Sequence, residues 1–170
     1  MANKVLVAYG SKYGATREIA ERIGAVLKEA GLAVTVASAA SVDSVSAYDA
    51  VVLGSGVYAG QWRKEAAALV KSQESALAAR PVWLFSSGPT GEGDPATLTS
   101  GWLIPAGLKP VAERVKPRDI AIFHGAINKS KLNPIEKLMI KMVKAPYGDF
   151  REWTAISAWA QSIAAALRSA

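Results

Sequence analysis

Two hydroxyls and two glycines carry the first chemical signal in the chain. The stretch Gly10-Ser11-Lys12-Tyr13-Gly14-Ala15-Thr16 follows the apolar run Val5-Leu6-Val7-Ala8-Tyr9 and precedes an amphipathic pattern that starts near Arg17. A strand that feeds such a loop into a helix makes an anion site, because unpaired backbone N–H groups and the positive end of the helix dipole face the loop. Ser11 and Thr16 add hydroxyl donors, although the same two residues can also do no more than cap the helix. The stretch is not a P-loop: its Gly-to-Gly interval is one residue short and no Lys precedes Thr16. A dinucleotide fingerprint also fails, its nearest approach being Gly54-Ser55-Gly56-Val57-Tyr58-Ala59-Gly60, where the third Gly arrives one residue late.

Other chemistry is limited by composition. The chain has no Cys and one His, His124. Disulfides, thiolate nucleophiles and thiolate-held metals are therefore excluded, and a His-based metal cluster cannot form. No residue stands out as a required catalytic acid or base, and no metal site is expected. Redox or group-transfer chemistry would have to come from a cofactor. The role of His124, at the end of a strand pattern, is open between a hydrogen-bonded structural group and a place beside a substrate.

The elements that must position the anion loop follow from periodicity. Apolar runs at 5–9, Leu32 to Ala37, Ala50 to Leu53, Val82 to Ser86 and Ile120 to Phe123 read as five strands. They do not alternate with polar residues, which is the pattern of a parallel sheet covered on both faces. Helical patterns separate them: Thr16 to Ala30, closed by Gly31; Ser41 to Ser46; Arg63 to Leu77; Pro105 to Val115; and Arg151 to Leu167. Trp83 falls in a strand, and Trp153 and Trp159 are expected to pack on the sheet. The reading is one α/β domain over residues 1–170, doubly wound, with strand order 2-1-3-4-5 and a basic helical insert at about 126–147. Met1-Ala2-Asn3 runs straight into the first strand, so no signal peptide is expected, and no apolar run approaches the ~18 residues of a membrane span. A cytoplasmic location is expected on that basis.

A hydroxyl-rich loop without an obligatory Lys on the first strand resembles the phosphate grip of flavodoxins. The loop at 54–62 is similar to the flavodoxin loop that carries the isoalloxazine, and Ser86-Ser87-Gly88-Pro89-Thr90-Gly91-Glu92-Gly93-Asp94 to the second flavin-flanking loop. The resemblance implies FMN as cofactor, with Ser11, Lys12, Tyr13, Gly14, Ala15 and Thr16 around the phosphate. Val57, Tyr58, Ala59, Gly60 and Trp62 would then line one side of the ring, and Ser87, Gly88, Pro89, Thr90 and Gly91 the other. Gly148-Asp149-Phe150-Arg151-Glu152-Trp153, with Ile156 and Trp159-Ala160, looks like the flavodoxin-type branch of menaquinone-dependent protoporphyrinogen IX dehydrogenases. That likeness implies oxidation of a reduced substrate such as a porphyrinogen, with electrons passed to a quinone. The competing readings are a generic flavodoxin electron carrier, an NAD(P)H:quinone reductase, and a cofactor-free binding module on the same fold. A receiver domain is disfavoured, because Tyr9-Gly10-Ser11 stands where a magnesium-binding acidic cluster would be.

Charge bears on the partner. The chain has 20 Lys+Arg against 14 Asp+Glu, a net +6, which favours anionic partners. Much of it lies between Asn128 and Lys144, where Lys129, Lys131, Lys137, Lys141 and Lys144 accompany Ile135, Leu138, Met139, Met142 and Val143 at helical spacing. This basic amphipathic helix either covers the sheet edge with its lysines in water or meets an anionic substrate or membrane surface. Nucleic acid is disfavoured, since no stacking aromatics lie among the lysines. Oligomeric state is not legible.

Overall fold

The computed structural model describes residues 4–169, so the expectation about a leader, which falls on residues 1–3, lies outside the described residues. In chain order the elements are β1 (Lys4–Gly10), α1 (Ala15–Glu29), β2 (Ala33–Ser38), β3 (Ala50–Tyr58), β4 (Gln61–Trp62), α2 (Lys64–Ser72), α3 (Glu74–Ala78), β5 (Val82–Ser87), α4 (Pro95–Leu98), α5 (Lys109–Val115), β6 (Asp119–Phe123), β7 (Ala126–Ile127), α6 (Pro134–Val143), β8 (Gly148–Asp149) and α7 (Trp153–Arg168). The parallel sheet runs β2-β1-β3-β5-β6, which is the order 2-1-3-4-5 of the five principal strands. β4 adds an antiparallel hairpin arm to β3, and β7 pairs with β8 apart from the main sheet.

The strands are continuous apolar runs because both faces are covered. Val5 and Val7 point with Val52, Phe85 and Phe123 into a core closed by Ile19, Ile23 and Leu27 of α1 and Ile156, Ile163 and Leu167 of α7. Leu6, Ala8, Leu53 and Leu84 face the other way, against Leu69 and Val70 of α2, Leu77 of α3 and Val111 and Val115 of α5. Trp83 is buried in the first core. Trp159 of α7 stands edge-on to Phe85 and Phe123, with centroids 6.0 and 5.5 Å away, and its indole N–H donates to Asp119 Oδ2 at 2.8 Å. Trp153 departs from expectation: it is 37% exposed, with the Arg151 guanidinium 4.8 Å from its ring centroid.

Four further differences have local causes. The stretch 41–46 forms no helix; a single 3-10 turn at Ala39–Ser41 precedes irregular chain. Hydroxyls there bond nearby backbone instead: Ser41 Oγ donates to Ser38 O and Ser44 Oγ accepts from Ser46 N–H. The helix expected over 63–77 breaks at Gln73, whose side-chain oxygen accepts the Val45 N–H at 3.1 Å, giving α2 and α3. Only 109–115 of the stretch from Pro105 is α-helix, preceded by a 3-10 turn at 106–108. The third strand extends to Tyr58 and turns back through Ala59 (φ 51) and Gly60 (φ 74). Two consecutive left-handed residues between paired Tyr58 and Gln61 make a tight hairpin whose twist matches its strands.

Candidate functional site

The carboxyl ends of β1, β3, β5 and β6 open into one cleft of about 1010 Å³. Its first wall is the loop between β1 and α1. Gly10 ends the strand where an added Cβ would lie 2.9 Å from the side chains of Ser55, Arg63 and Ala66, so only Gly lets β1 come this close to β3 and α2. Ser11 Oγ accepts the Gly14 N–H at 3.0 Å, and Gly14, at φ 95, turns the chain into α1. No side chain caps the helix itself, so its first-turn N–H groups open at the cleft, where Ala15 and Thr16 line the surface. Thr16 is 2% exposed, and its Oγ1 lies 2.8 Å from Ser87 Oγ, tying α1 to the end of β5. Gly56 makes room for this pair, since a Cβ there would sit 2.8 Å from Thr16 Oγ1.

The second wall is the β3–β4 hairpin. Val57, Tyr58, Ala59 and Gly60 line the cleft, and Tyr58 OH accepts the Lys12 N–H at 3.2 Å. Burial pushes the Tyr58 phenol pKa up, and Arg63 lies 5.2 Å from the ring centroid. Trp62, expected beside a bound ring, does not line the cleft. The hairpin turns its side chain into the core, where it is 5% exposed and its indole N–H donates to Ser86 Oγ at 2.8 Å.

Opposite stand Ser87, Gly88, Pro89 and Thr90. Gly91, expected with them, falls outside the cleft and faces Pro146. This loop is held from below. Gly125 N–H donates to Pro89 O at 2.9 Å, and a Cβ on Gly125 would lie 2.7 Å from Gly88 Cα. His124, 3% exposed, places Nδ1 3.2 Å from Pro89 O and Nε2 2.6 Å from Gly93 O. Its ring thus fastens the 89–93 loop to the end of β6.

The flavodoxin domain family model matches residues 6–153. The chain belongs to the flavodoxin family. No curated protein sequence matches it. Among solved structures it is similar in fold to flavodoxin 2 from Bacillus cereus, oxidised (TM-score 0.59, 21% identity, 97% of this chain and 99% of that one). It is also similar to the two-electron reduced flavodoxin of Megasphaera elsdenii (0.54, 22%, 71% and 84%). A third likeness is to rubredoxin oxygen:oxidoreductase from Desulfovibrio gigas (0.63, 15%), where 98% of this chain spans only 36% of the other.

FMN is the cofactor of flavodoxin domains, and two features of the cleft fit it. The uncapped start of α1 suits a phosphate. Thr90 Oγ1 and Arg63 Nε are buried with no hydrogen-bond partner among the described residues, Glu65 Oε1 lying 3.7 Å from the latter. Buried polar atoms of that kind need a ligand or water to satisfy them.

The third wall is the segment from β7 to β8, which contains the basic amphipathic helix expected from the sequence. Asn133 and Glu136 form a reciprocal cap at the start of α6, with Pro134 at its first position. The Glu136 carboxylate also accepts from Lys12 Nζ at 2.8 Å and from Tyr13 OH, while Lys131 Nζ reaches Tyr13 O at 3.3 Å. The insert is therefore lashed onto the loop between β1 and α1, not laid along the sheet edge. Lys12 and Tyr13 hold the Glu136 pKa down to about 2, and that carboxylate raises the Lys12 pKa in turn. Lys12, expected around the phosphate, thus turns its side chain to a carboxylate. Arg151 closes the corner beneath: it donates to Ala15 O at 3.2 Å and to both Asp149 carboxylate oxygens, which lowers the Asp149 pKa and raises its own. The Asn133-Pro134-x-Glu136 spacing is a visible capping motif, but the partners of Glu136 are 123 and 124 residues away and could not be read from it.

No helix among the described residues is long and apolar enough to cross a membrane, and none of them form a cluster able to hold a metal ion.

Proposed function

We propose that this chain binds FMN in the cleft and oxidises a porphyrinogen of the protoporphyrinogen IX type, passing the electrons to a quinone. The observation that carries the reading is the insert: it adds a basic and apolar third wall to a flavodoxin cleft. Met139, Ile140 and Val143 supply the apolar surface, and Lys129, Lys131 and Lys144 supply positive charge at the same opening. A flat apolar ligand with carboxylate arms matches that pairing, since charged hydrogen bonds to the arms and apolar contact with the body act together.

Within this reading the chain has defined tasks. The backbone of Lys12 to Thr16, with the Thr16 hydroxyl, holds the phosphate. Val57 to Gly60 bound one side of the ring and Ser87 to Thr90 the other, with Thr90 Oγ1 free to donate. Ser11 acts on Gly14 and so shapes the loop. FMN, when bound, supplies the one- and two-electron redox chemistry that no side chain of this protein can supply. The apolar side chains of the cleft exclude water from the bound ring.

The flavodoxin neighbours favour a second reading, an electron carrier or quinone reductase with another donor. Anaerobic assays of FMN-loaded protein with a quinone separate the two. Porphyrin fluorescence should appear from protoporphyrinogen above a flavin-free background, with NAD(P)H a poor donor. Rapid reduction by NAD(P)H with no porphyrin formed would remove the porphyrinogen reading.

A further inference from the structure

Four of the chain's six net positive charges lie in the insert, where Lys129, Lys131, Lys137, Lys141 and Lys144 face one acidic residue, Glu136. That one is turned inward onto Lys12 and Tyr13. What remains outward is cationic. On the same helix Ile135, Leu138, Met142 and Val143 are 71%, 57%, 73% and 71% exposed, and α6 buries none of its residues. Tyr147, 39% exposed with Lys129 Nζ 5.6 Å from its ring centroid, continues the surface past the helix end. Contiguous bare aliphatic side chains on a protein surface mark a place of contact.

We propose that α6 is an interfacial helix that docks the protein on an anionic lipid bilayer. Ile135, Leu138 and Met142 enter the boundary between headgroups and acyl chains, while Lys137, Lys141 and Lys144 meet anionic headgroups. An apolar stripe beside a lysine-bearing flank is the composition such helices use. Charge decides against the competing occupant, a second copy of this chain. Pairing α6 with itself sets lysines against lysines with no free carboxylate on the helix to answer them. Val143 and Lys144 also line the cleft, so docking turns the mouth of the redox site toward the bilayer. This extends the quinone reading, because a lipid-dissolved acceptor would then arrive from the membrane side, but docking itself requires no turnover.

The test is co-sedimentation of the full chain with vesicles of phosphatidylcholine alone or mixed with phosphatidylglycerol. Binding should need the anionic lipid and weaken as salt rises. The triple substitution Ile135→Ser, Leu138→Ser, Met142→Ser should lower partitioning more than about tenfold, each lost side chain removing several buried methylenes. Lys137→Gln and Lys141→Gln should each lower it about fivefold. None of these five residues lines the cleft, so circular dichroism and FMN titration should match the parent and exclude a folding failure. No anionic-vesicle binding by the parent, equal binding to neutral vesicles, or binding untouched by both sets of substitutions would overturn the proposal. So would a concentration-dependent dimer that the serine variant abolishes while vesicles are ignored. A protein that binds vesicles as expected yet leaves protoporphyrinogen unoxidised would refute the substrate reading and uphold docking.

Discussion

Helices α1 and α6 meet at the same loop and both are amphipathic, yet they are held by opposite means. α1 buries Thr16, Ile19, Ala20, Ile23, Gly24, Val26 and Leu27 against the sheet. α6 buries nothing and is tied down by Glu136 to Lys12 and Tyr13, and by its neighbour Lys131 to Tyr13 O. Apolar periodicity thus states that a helix has a face to cover, without saying what covers it. For α1 the cover is the sheet of its own chain. For α6 the polar ties fix its position while its aliphatic side chains stay bare.

The contrast predicts its largest difference in stability. Ile23→Ala removes a side chain with 0% exposure from the first core and should cost about 2–5 kcal/mol in denaturant unfolding. Leu138→Ala on α6, at 57% exposure, should stay within about 0.5 kcal/mol. Comparable losses at the two positions would mean that α6 packs on the protein in solution, and the difference between the helices would vanish.

The next effect concerns what each helix offers the cofactor. Thr16→Val keeps the shape of a buried side chain but removes the Oγ1 that faces Ser87 at the uncapped start of α1. FMN affinity should fall about 10- to 100-fold, the range of one or two hydrogen bonds to a charged group, while riboflavin, which lacks the phosphate, should bind nearly as before. Leu138→Ala should change neither. An equal loss for both flavins would move Thr16 from the phosphate to the ring.

How far these features were legible follows from the range of the interactions behind them. β1 and α1 were readable because Val5, Leu6, Val7 and Ala8 are all fully buried and Gly14 and Gly31 bound the helix with positive φ, so local pattern and tertiary role agree. The β3–β4 hairpin was not, because Ala59 at φ 51 is not a residue that announces a left-handed turn. Missing that turn misplaced Trp62, whose direction depends on the reversal and on Ser86 24 residues later. The insert was recognised as basic and amphipathic, but its seat on the loop between β1 and α1 depends on partners far apart in the chain. Arg63 and Thr90 gave no periodic signal of their own; their importance is that burial leaves a polar atom on each unsatisfied.

The smallest effect isolates the tie itself. Glu136→Gln should leave the unfolding of the sheet nearly unchanged while amide exchange in α6 quickens and exchange in α1 does not, because α1 is held by its buried face and α6 is not. Its pH dependence has a definite sign. The Glu136 pKa is lowered from 4.5 to about 2, chiefly by the hydrogen bond from Lys12 and next by that from Tyr13. A carboxylate more acidic in the folded state stabilises that state in full above its unfolded value, and the contribution fades as pH falls from there through the folded value. Any stability gap between parent and Glu136→Gln should therefore be constant above about pH 5 and close between about 4.5 and 2. The native carboxylate, mostly ionised until the pH nears 2, should keep α6 protected in the parent at pH 4. Loss of α6 protection already at pH 5, or a gap that ignores pH down to 2, would show that Glu136 does not hold the insert on the loop, and the contrast with α1 would need another cause.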